Sequence, residues 1–387
     1  MRILFCNFEY PPLGGGGGVI NALLAEELAT RHDVTLLTSG TGDLPLDSVE
    51  RGVRVLRVPV LFRRRQATAS MISMLSYVLR APGVGRRQMH ERGGFDVVNT
   101  HFVLPSGPVG DRLARGAGIP NVLSVHGGDL YDPSKITSPH RHPPLRAWIR
   151  RLSRRADAVV GQSTNTLENL KRFYAPEVQG IRIPLGIRRP PGGTGSRGAY
   201  QFGDDDVLLV TVGRIVARKA INQLVSMMAR LDSPRARLVV IGDGPVLPAL
   251  RKQAAEAKLG DRVRFLGRLD EAEKFRVLRF CDLFVSTSQH EGFGLVFLEG
   301  MACGLPVVCY DHGGQTDFLA DGRTGHLVPL NDIAAFTERC RALIDDHERR
   351  RVMGSVNATE VAEYFIENCA ARYEELFERV IRGAVRR

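Results

Sequence analysis

The sequence predicts an α/β protein made of two doubly wound, Rossmann-like domains that face an interdomain cleft. Three observations carry this. Strand-like apolar runs alternate with amphipathic helical patterns along the first half, a Pro/Gly-rich stretch interrupts the rhythm at Arg188 to Gly198, and the same rhythm restarts after it. At 387 residues the chain also exceeds one ordinary domain of roughly 100 to 200 residues.

In the first half, Arg2 to Phe8 reads as a strand, Val19 to Arg31 as a helix, and Val34 to Thr38 and Val53 to Val58 as further strands. Asp96 to Thr100, a helical Pro108 to Ala117, Asn121 to Val125 and Ala158 to Gln162 continue the alternation. Strands separated by helices pair in parallel through right-handed crossovers. Beyond the linker come Val207 to Gly213, Arg237 to Gly244, Val263 to Gly267, Asp282 to Ser288 and Leu305 to Tyr310, again with amphipathic helices between them. The expected boundaries are 1–187, a linker over 188–206, a second domain over 207–356, and a C-terminal helical segment over 357–387 that crosses back to the first domain. In such sheets ligands bind outside the carboxyl ends of the strands.

The first strand leads into five consecutive glycines, Gly14 to Gly18. Ile20, Leu23, Leu24 and Leu28 then line one face of a helix, so the run is a strand-to-helix turn rather than a tether. Val19-Ile20-Asn21 stand where a P-loop needs Gly-Lys-Ser/Thr, which excludes Walker-type phosphate binding. The second strand closes on Thr38-Ser39-Gly40, without the acid that holds a dinucleotide ribose, which disfavours NAD. What remains is a side-chain-free turn at a helix N-terminus, where amides and the dipole favour a polar or anionic ligand. A turn needing positive φ would be satisfied by one or two glycines; five suggest that something approaches the backbone.

Composition, 43% hydrophobic and 25% charged, fits a globular protein. No apolar run approaches the roughly 18 to 20 residues of a membrane span, and Glu9 and Pro11 interrupt the first apolar stretch before a signal sequence could form, so a cytoplasmic protein is expected. The six cysteines form no CxxC pair and have no histidine at metal spacing; buried thiols are expected, with no metal and no disulfide. The net charge of +11 lies wholly in residues 1–190, which hold 26 Lys and Arg against 15 Asp and Glu. It concentrates in Arg63-Arg64-Arg65, Arg86-Arg87, Arg141 to Arg155 and Arg188-Arg189. Such a surface suits anionic lipid or a polyphosphate-linked acceptor, and peripheral attachment to the inner face of the cell membrane is expected. The clusters lack the interleaved aromatics of a single-strand platform, and no nucleic acid is expected. Solvated arginine-rich faces are the plain alternative.

The most specific stretch is HEGFGLVFLEGMACGLPVV, His290 to Val308. Glu291 and Glu299 flank Gly292-Phe293-Gly294, and a helix beginning near Leu295 would set glycine amides at its mouth with Glu299 just over a turn in. Two carboxylates for hydroxyls and a dipole-backed amide cluster for phosphate match the parts of a nucleotide sugar. As an isolated pair, helix-capping glutamates would explain them equally well.

The chain resembles the retaining glycosyltransferases of family 4, which have the GT-B fold. Beside the Glu291–Glu299 block, VGRIVARKA (Val212 to Ala220), IGDGP (Ile241 to Pro245), FLG (Phe265 to Gly267), HGGQTDFLADGRTGHLV (His312 to Val328), YPPLGGG and SVHGGD (Ser124 to Asp129) are similar to family motifs. Asp317 stands where the family usually has Glu, Ala220 replaces the glycine after the clamp lysine, and Gly300 replaces an alanine.

The resemblance implies transfer of a hexosyl unit from a nucleoside-diphosphate sugar, with UDP or GDP as nucleotide, to an acceptor hydroxyl with retention of configuration and without a metal or other cofactor. It implies Arg214 and Lys219 as the pyrophosphate clamp, with Gly292, Phe293, Gly294 and Leu295 around the donor and Glu299 on the ribose. Glu291 would hold sugar hydroxyls or face a developing oxocarbenium ion, His126 would donate to a sugar hydroxyl, and Gly15 and Gly16 would approach ligand in the cleft. The acceptor would be a saccharide, a lipid-linked group or a small molecule. A non-catalytic nucleotide-sugar-binding GT-B protein, or a GT-B epimerase or phosphorylase, are the alternatives. Two further features are set aside. Asp204-Asp205-Asp206 precedes a strand and reads as a solvated turn, and His140-Arg141-His142 has no partners for a metal.

Overall fold

A computed structural model of the chain describes residues 1–63, 69–133 and 135–383. It divides into two compact units, Met1–Arg188 together with the segment from Phe365 onward, and Arg189–Tyr364. Among the described residues no helix is long and apolar enough to cross a membrane.

The first unit opens β1 (Arg2–Asn7), α1 (Gly16–Leu28), β2 (Asp33–Gly40), β3 (Asp47–Glu50), β4 (Val53–Pro59) and α2 (Met71–Glu91). It continues β5 (Val97–His101), α3 (Gly107–Ala117), β6 (Asn121–Val125), α4 (Pro143–Arg155), β7 (Ala158–Gly161), α5 (Thr164–Phe173) and β8 (Gly180–Arg182). The sheet order is β3-β4-β2-β1-β5-β6-β7-β8, parallel except for the β3 edge. Residues such as Ile3, Phe5, Leu36 and Val97 face one layer of helices, while Leu4, Leu37 and Val98 face another that includes Tyr77 of α2 and Leu113 of α3. That division follows from the two-residue period of a strand buried on both faces. The sequence expectations miss β3 and β8, because both are three- or four-residue edge strands with few apolar positions.

The chain direction of winding reverses between β1 and β5, the switch point of a doubly wound sheet. Register pairs Asn7 with His101 and His101 with Ser124, so the loops after β1, β5 and β6 leave the sheet side by side.

The second unit runs β9 (Val207–Val212), α6 (Ile221–Arg230), β10 (Ala236–Ile241), α7 (Leu247–Glu256), β11 (Val263–Gly267), α8 (Glu271–Phe280), β12 (Leu283–Ser286) and α9 (Leu295–Ala302). It ends in β13 (Val307–Tyr310), β14 (Gly325–Val328), α10 (Ile333–Asp345) and α11 (His347–Glu360). Its six strands are parallel in the order β11-β10-β9-β12-β13-β14, around a core that includes Leu224, Leu238, Leu283 and Phe336. Side-chain caps at Asp270, Asp332 and Asp346 accept the N3 amides that start α8, α10 and α11.

Three expectations are corrected. The C-terminal segment is not one helix from residue 357: α11 ends at Glu360, a short turn follows, and α12 (Ile366–Ile381) alone joins the first unit. Gly186 seats it, since a Cβ there would stand 2.6 Å from Ile366 Cα, and Glu374 binds Arg31 and His32. Residues 188–206 are not a free linker throughout: Arg197 donates to the Phe280 carbonyl and pairs with Asp282 at 2.8 Å, within the second unit.

Third, the arginine cluster at Arg63 is not wholly a surface, and α2 fills most of the stretch from there to Arg92. A Ser70–Ser73 capping box starts the helix, and Pro82, Gly83 and Gly85 inside it mask the pattern in sequence. Arg63 is buried over the Phe8 ring, 4.7 Å from its centroid, and so is no surface cation; Arg64 and Arg65 lie outside the described residues. The six cysteines are free thiols, five of them buried.

Candidate active site

In the second unit β9 and β12 are neighbours at the switch point, so the loop carrying Arg214 and Lys219 stands beside the one carrying Glu291 to Gly294. Lys219 donates to Oε1 of Glu291, and Arg218 lies 3.4 Å from Oε2 while donating to the His290 carbonyl. Burial pushes the Glu291 carboxyl up, but the Lys219 and Arg218 charges and hydrogen bonds from Lys219 and Ser288 prevail and bring its pKa to about 2. At neutral pH Glu291 is an ionised acceptor.

Arg214 is exposed, and its guanidinium has no ion pair among the described residues. Lys219 Nζ would lie 3.7 Å from a Cβ on Gly213, the residue before Arg214, so the two proposed clamp cations share one small region. Ala220 takes the left-handed conformation at φ +46°, which explains why a glycine suits this position.

Gly294 caps α9 at φ +95°, and α9 begins at Leu295. Phe293 turns inward onto Phe318 and Tyr364, 5.2 and 6.3 Å away between ring centroids, and so offers a ligand only its backbone. The Gly314 amide donates to the Glu291 carbonyl at 2.8 Å, and a Cβ on Gly314 would collide with the Gly292 carbonyl. Gly242 of the IGDGP motif meets the Gly213 carbonyl in the same way. These glycines are demanded by loop-on-loop packing.

Glu299 accepts from Lys274 at 2.9 Å through Oε1, while its buried Oε2 has no donor among the described residues. Burial raises its pKa against the opposing charge of Lys274, and the Lys219 charge reaches it as well. An unsatisfied buried acceptor costs free energy until a donor arrives, and a ligand hydroxyl would supply one.

In the first unit the glycines divide sharply. Gly14 sits at φ +104° with Glu9 Oε2 at 2.6 Å from where its Cβ would stand, a Cβ on Gly17 would collide with the Phe102 ring, and one on Gly18 would press the Glu9 backbone. Around Gly15 and Gly16 there is open space. The helix expected from Val19 instead begins at Gly16, so the last three glycines are its first turn, where close approach rather than loop freedom is what they supply. Glu9 Oε2 accepts the Gly15 amide at 3.1 Å.

His126 follows β6 and is buried. Its Nε2 lies 3.0 Å from His101 Nδ1, and His101 Nε2 lies 2.8 Å from Asn99 Nδ2. Phe102, held at φ +66°, sets its ring 4.4 Å from that of His126. Asp129 ties the loops together by accepting the amides of His126 and Val103, each at 2.8 Å. Burial drives the His126 pKa down to about 4 against a hydrogen bond with Gln162, and burial with the neighbouring ring lowers His101 further. Both imidazoles are neutral at pH 7.

The structure thus joins Lys219 to Glu291, sets Gly15 and Gly16 apart from their neighbours, and leaves Arg214 without an ion pair among the described residues. Sequence reasoning missed Asn99, His101, Phe102, Arg218 and Lys274. A signal for the first two was present: Asn99, Thr100 and His101 are polar residues in a fully buried strand, which needs a reason. Among the described residues no three His, Cys, Asp or Glu side chains gather as a metal-ligand set.

Residues 195–359 match the family described as "Glycosyl transferases group 1", and residues 15–186 match "Glycosyl transferase 4-like domain". The chain is 30% identical to D-inositol 3-phosphate glycosyltransferase of Stackebrandtia nassauensis over 88% of its length and 82% of that protein. It is 26% identical to N-acetyl-alpha-D-glucosaminyl L-malate synthase of Bacillus anthracis over 96% of both. Among solved structures, sucrose-phosphate synthase from Thermosynechococcus elongatus superposes with a TM-score of 0.85 at 22% identity, covering 99% of this chain and all, 100%, of that one. Anabaena HepE in complex with UDP gives 0.79 at 18% identity, over 98% and 100% of the two chains.

Proposed function

This chain belongs to the family 4 glycosyltransferases with the GT-B fold, and from that premise we propose that it moves a hexosyl unit from a UDP- or GDP-sugar to an acceptor hydroxyl with retention of configuration. The carrying observation is the Arg218–Glu291–Lys219 cluster at the mouth of α9, beside Arg214.

Departure of the nucleoside diphosphate builds negative charge on the leaving oxygens. Arg214 and Lys219 would neutralise it, with help from the amides at the α9 N-terminus, so the charge is stabilised by groups held in place before reaction and no metal is required. Glu291 is too acidic to supply a proton at neutral pH; it would accept hydrogen bonds from sugar hydroxyls and stabilise positive charge at the anomeric centre. Glu299 would take a ribose hydroxyl on Oε2, with Lys274 fixing the other oxygen. His126 would donate to a sugar oxygen, and open space at Gly15 and Gly16 would admit substrate to the backbone.

Incubating the protein with UDP-, GDP- and ADP-sugars and an acceptor panel of saccharides, inositol phosphates and small hydroxy acids tests this. Nucleotide release with α-configured product from an α-donor supports it. Tight nucleotide binding without turnover would instead leave a nucleotide-sugar-binding protein.

The acceptor side is read from the surface of the first unit. Met71, Ile72, Leu75 and Leu79 of α2 are exposed along one helical side. Beside them, Arg112, Arg115 and Arg151 line a cavity of about 540 Å³ with Trp148, and Asp111 is its one acid. Apolar knobs beside Arg112, Arg115 and Arg151, which have no ion pair among the described residues, fit an anionic bilayer surface, and this reading supports peripheral attachment to the inner face of the cell membrane and a lipid-linked acceptor.

A further inference from the structure

We propose that Asn99 and His101 are positioning residues that fix His126 as the Nδ1–H tautomer, making it a hydrogen-bond donor to the reacting sugar rather than a general base. The inference rests on the assignment of His126 to the sugar and deepens it.

The three side chains form a buried file at the end of β5 and the start of the loop after β6. Asn99 and His101 are fully buried and His126 nearly so, and the contacts are 2.8 and 3.0 Å. A neutral imidazole has one donor and one acceptor nitrogen, so a chain of two such rings has a direction. With the Asn99 amide donating to His101 Nε2, His101 carries its hydrogen on Nδ1 and donates it to His126 Nε2. That nitrogen is then an acceptor already in use, the hydrogen of His126 is confined to Nδ1, and a sugar oxygen takes it in competition with Gln162. A proton could be taken up only by breaking the contact with His101 inside a buried site.

The surroundings hold this file rigidly. Phe5 stacks on His101 with 4° between planes, and Tyr373 of α12 lies 5.9 Å from it while its hydroxyl bonds Ser124 at 2.9 Å. On the other side Phe102 covers the His126 ring, and Asp129 pins the His126 backbone. The polar neighbours of the file are therefore Tyr373, Ser124, Gln162 and the Asp129 carboxylate, and burial with the adjacent ring keeps His101 neutral.

The test is long-range ¹H–¹⁵N spectroscopy of the histidine-labelled full chain at neutral pH, alongside steady-state kinetics. In the wild type, His126 should show a protonated Nδ1 and a bare Nε2. Asn99→Asp, which can only accept from His101, should reverse the file and move the His126 hydrogen to Nε2. His101→Asn keeps a donor near the Nδ1 position and should retain the tautomer and most activity. His101→Phe removes it and should lower kcat about 100-fold, the scale expected when a reacting group is mispositioned, with KM for the sugar nucleotide changing much less.

An Nε2–H signal in the wild type, an unmoved His126 hydrogen in Asn99→Asp, or equal kinetics for His101→Asn and His101→Phe would each overturn the proposal. The spectra read the tautomer without turnover. Failure of the transferase assay with an intact Nδ1–H signal would therefore sink the activity and leave the relay standing.

Discussion

Phe102 holds its ring edge where a Cβ of Gly17 would otherwise stand. The contact gives Gly17 a packing reason that Gly16, one residue earlier with open space above it, does not have. The two positions should respond oppositely. Gly17→Ala overpacks a tight contact and should destabilise the chain by about 1 to 3 kcal/mol in urea titration. Gly16→Val should leave the urea midpoint nearly unchanged while abolishing most turnover. If both measures fall together in Gly16→Val, the open space at that position is not where substrate approaches.

Ala220 adopts a left-handed backbone that costs an L-residue roughly 1 to 2 kcal/mol; glycine relieves that strain, and its greater freedom in the unfolded chain gives part of the gain back. Ala220→Gly should therefore stabilise the protein by about 0.5 to 1 kcal/mol. A lowered midpoint would mean that the methyl group, which is buried, contributes more packing than the strain removes.

Glu291 carries a pKa of about 2 in the folded chain against an ordinary 4.5. A depressed acid contributes stability that is complete above pH 4.5 and is lost as pH falls toward 2, here about 3 kcal/mol by proton linkage. Glu291→Gln should flatten the acid limb of the stability curve in that window and weaken the protein at pH 7 by a comparable amount. It removes the counter-ion of two partly buried cations. Parallel curves for variant and wild type below pH 4.5 would contradict the pairing.

His126 behaves in a different window. Its folded pKa of about 4 lies below the ordinary 6.5, so the neutral ring's contribution is complete above pH 6.5 and declines as pH falls to 4; His101 adds the same sign. His126→Asn should reduce the slope of stability against pH between those values. In kinetics, the acid limb set by His126 should lie near pH 4 and not near 6.5, measured as kcat/KM over that range.

The exposed side of α2 and the arginines beside it should act as one surface. Leu75→Glu with Leu79→Glu, or Arg112→Glu with Arg151→Glu, should reduce co-sedimentation with vesicles containing anionic lipid by roughly tenfold or more, because each surface arginine is worth about 1 kcal/mol near such a membrane. Turnover of a soluble acceptor should be unaffected. Binding that is indifferent to anionic lipid content at low salt would remove the membrane from the account.

The sequence by itself determined the two doubly wound units and most strands, because aliphatic runs between amphipathic helices admit few topologies. Glu291, Glu299, Lys219, His126 and the glycine run were legible as motifs, since each lies on a contiguous stretch. What only the tertiary structure decided was how they are held. The ionised state of Glu291 depends on Arg218 and Lys219, some seventy residues away in sequence, brought there by the pairing of β9 with β12. The direction of the His126 ring depends on His101 through the register of β5 with β6, and the division of labour among the five glycines depends on Phe102 and Glu9. Strand pattern and turn chemistry are local and can be read along the chain. Charge state, tautomer and close approach are set by neighbours across the sheet, and those neighbours exist only once the chain has folded.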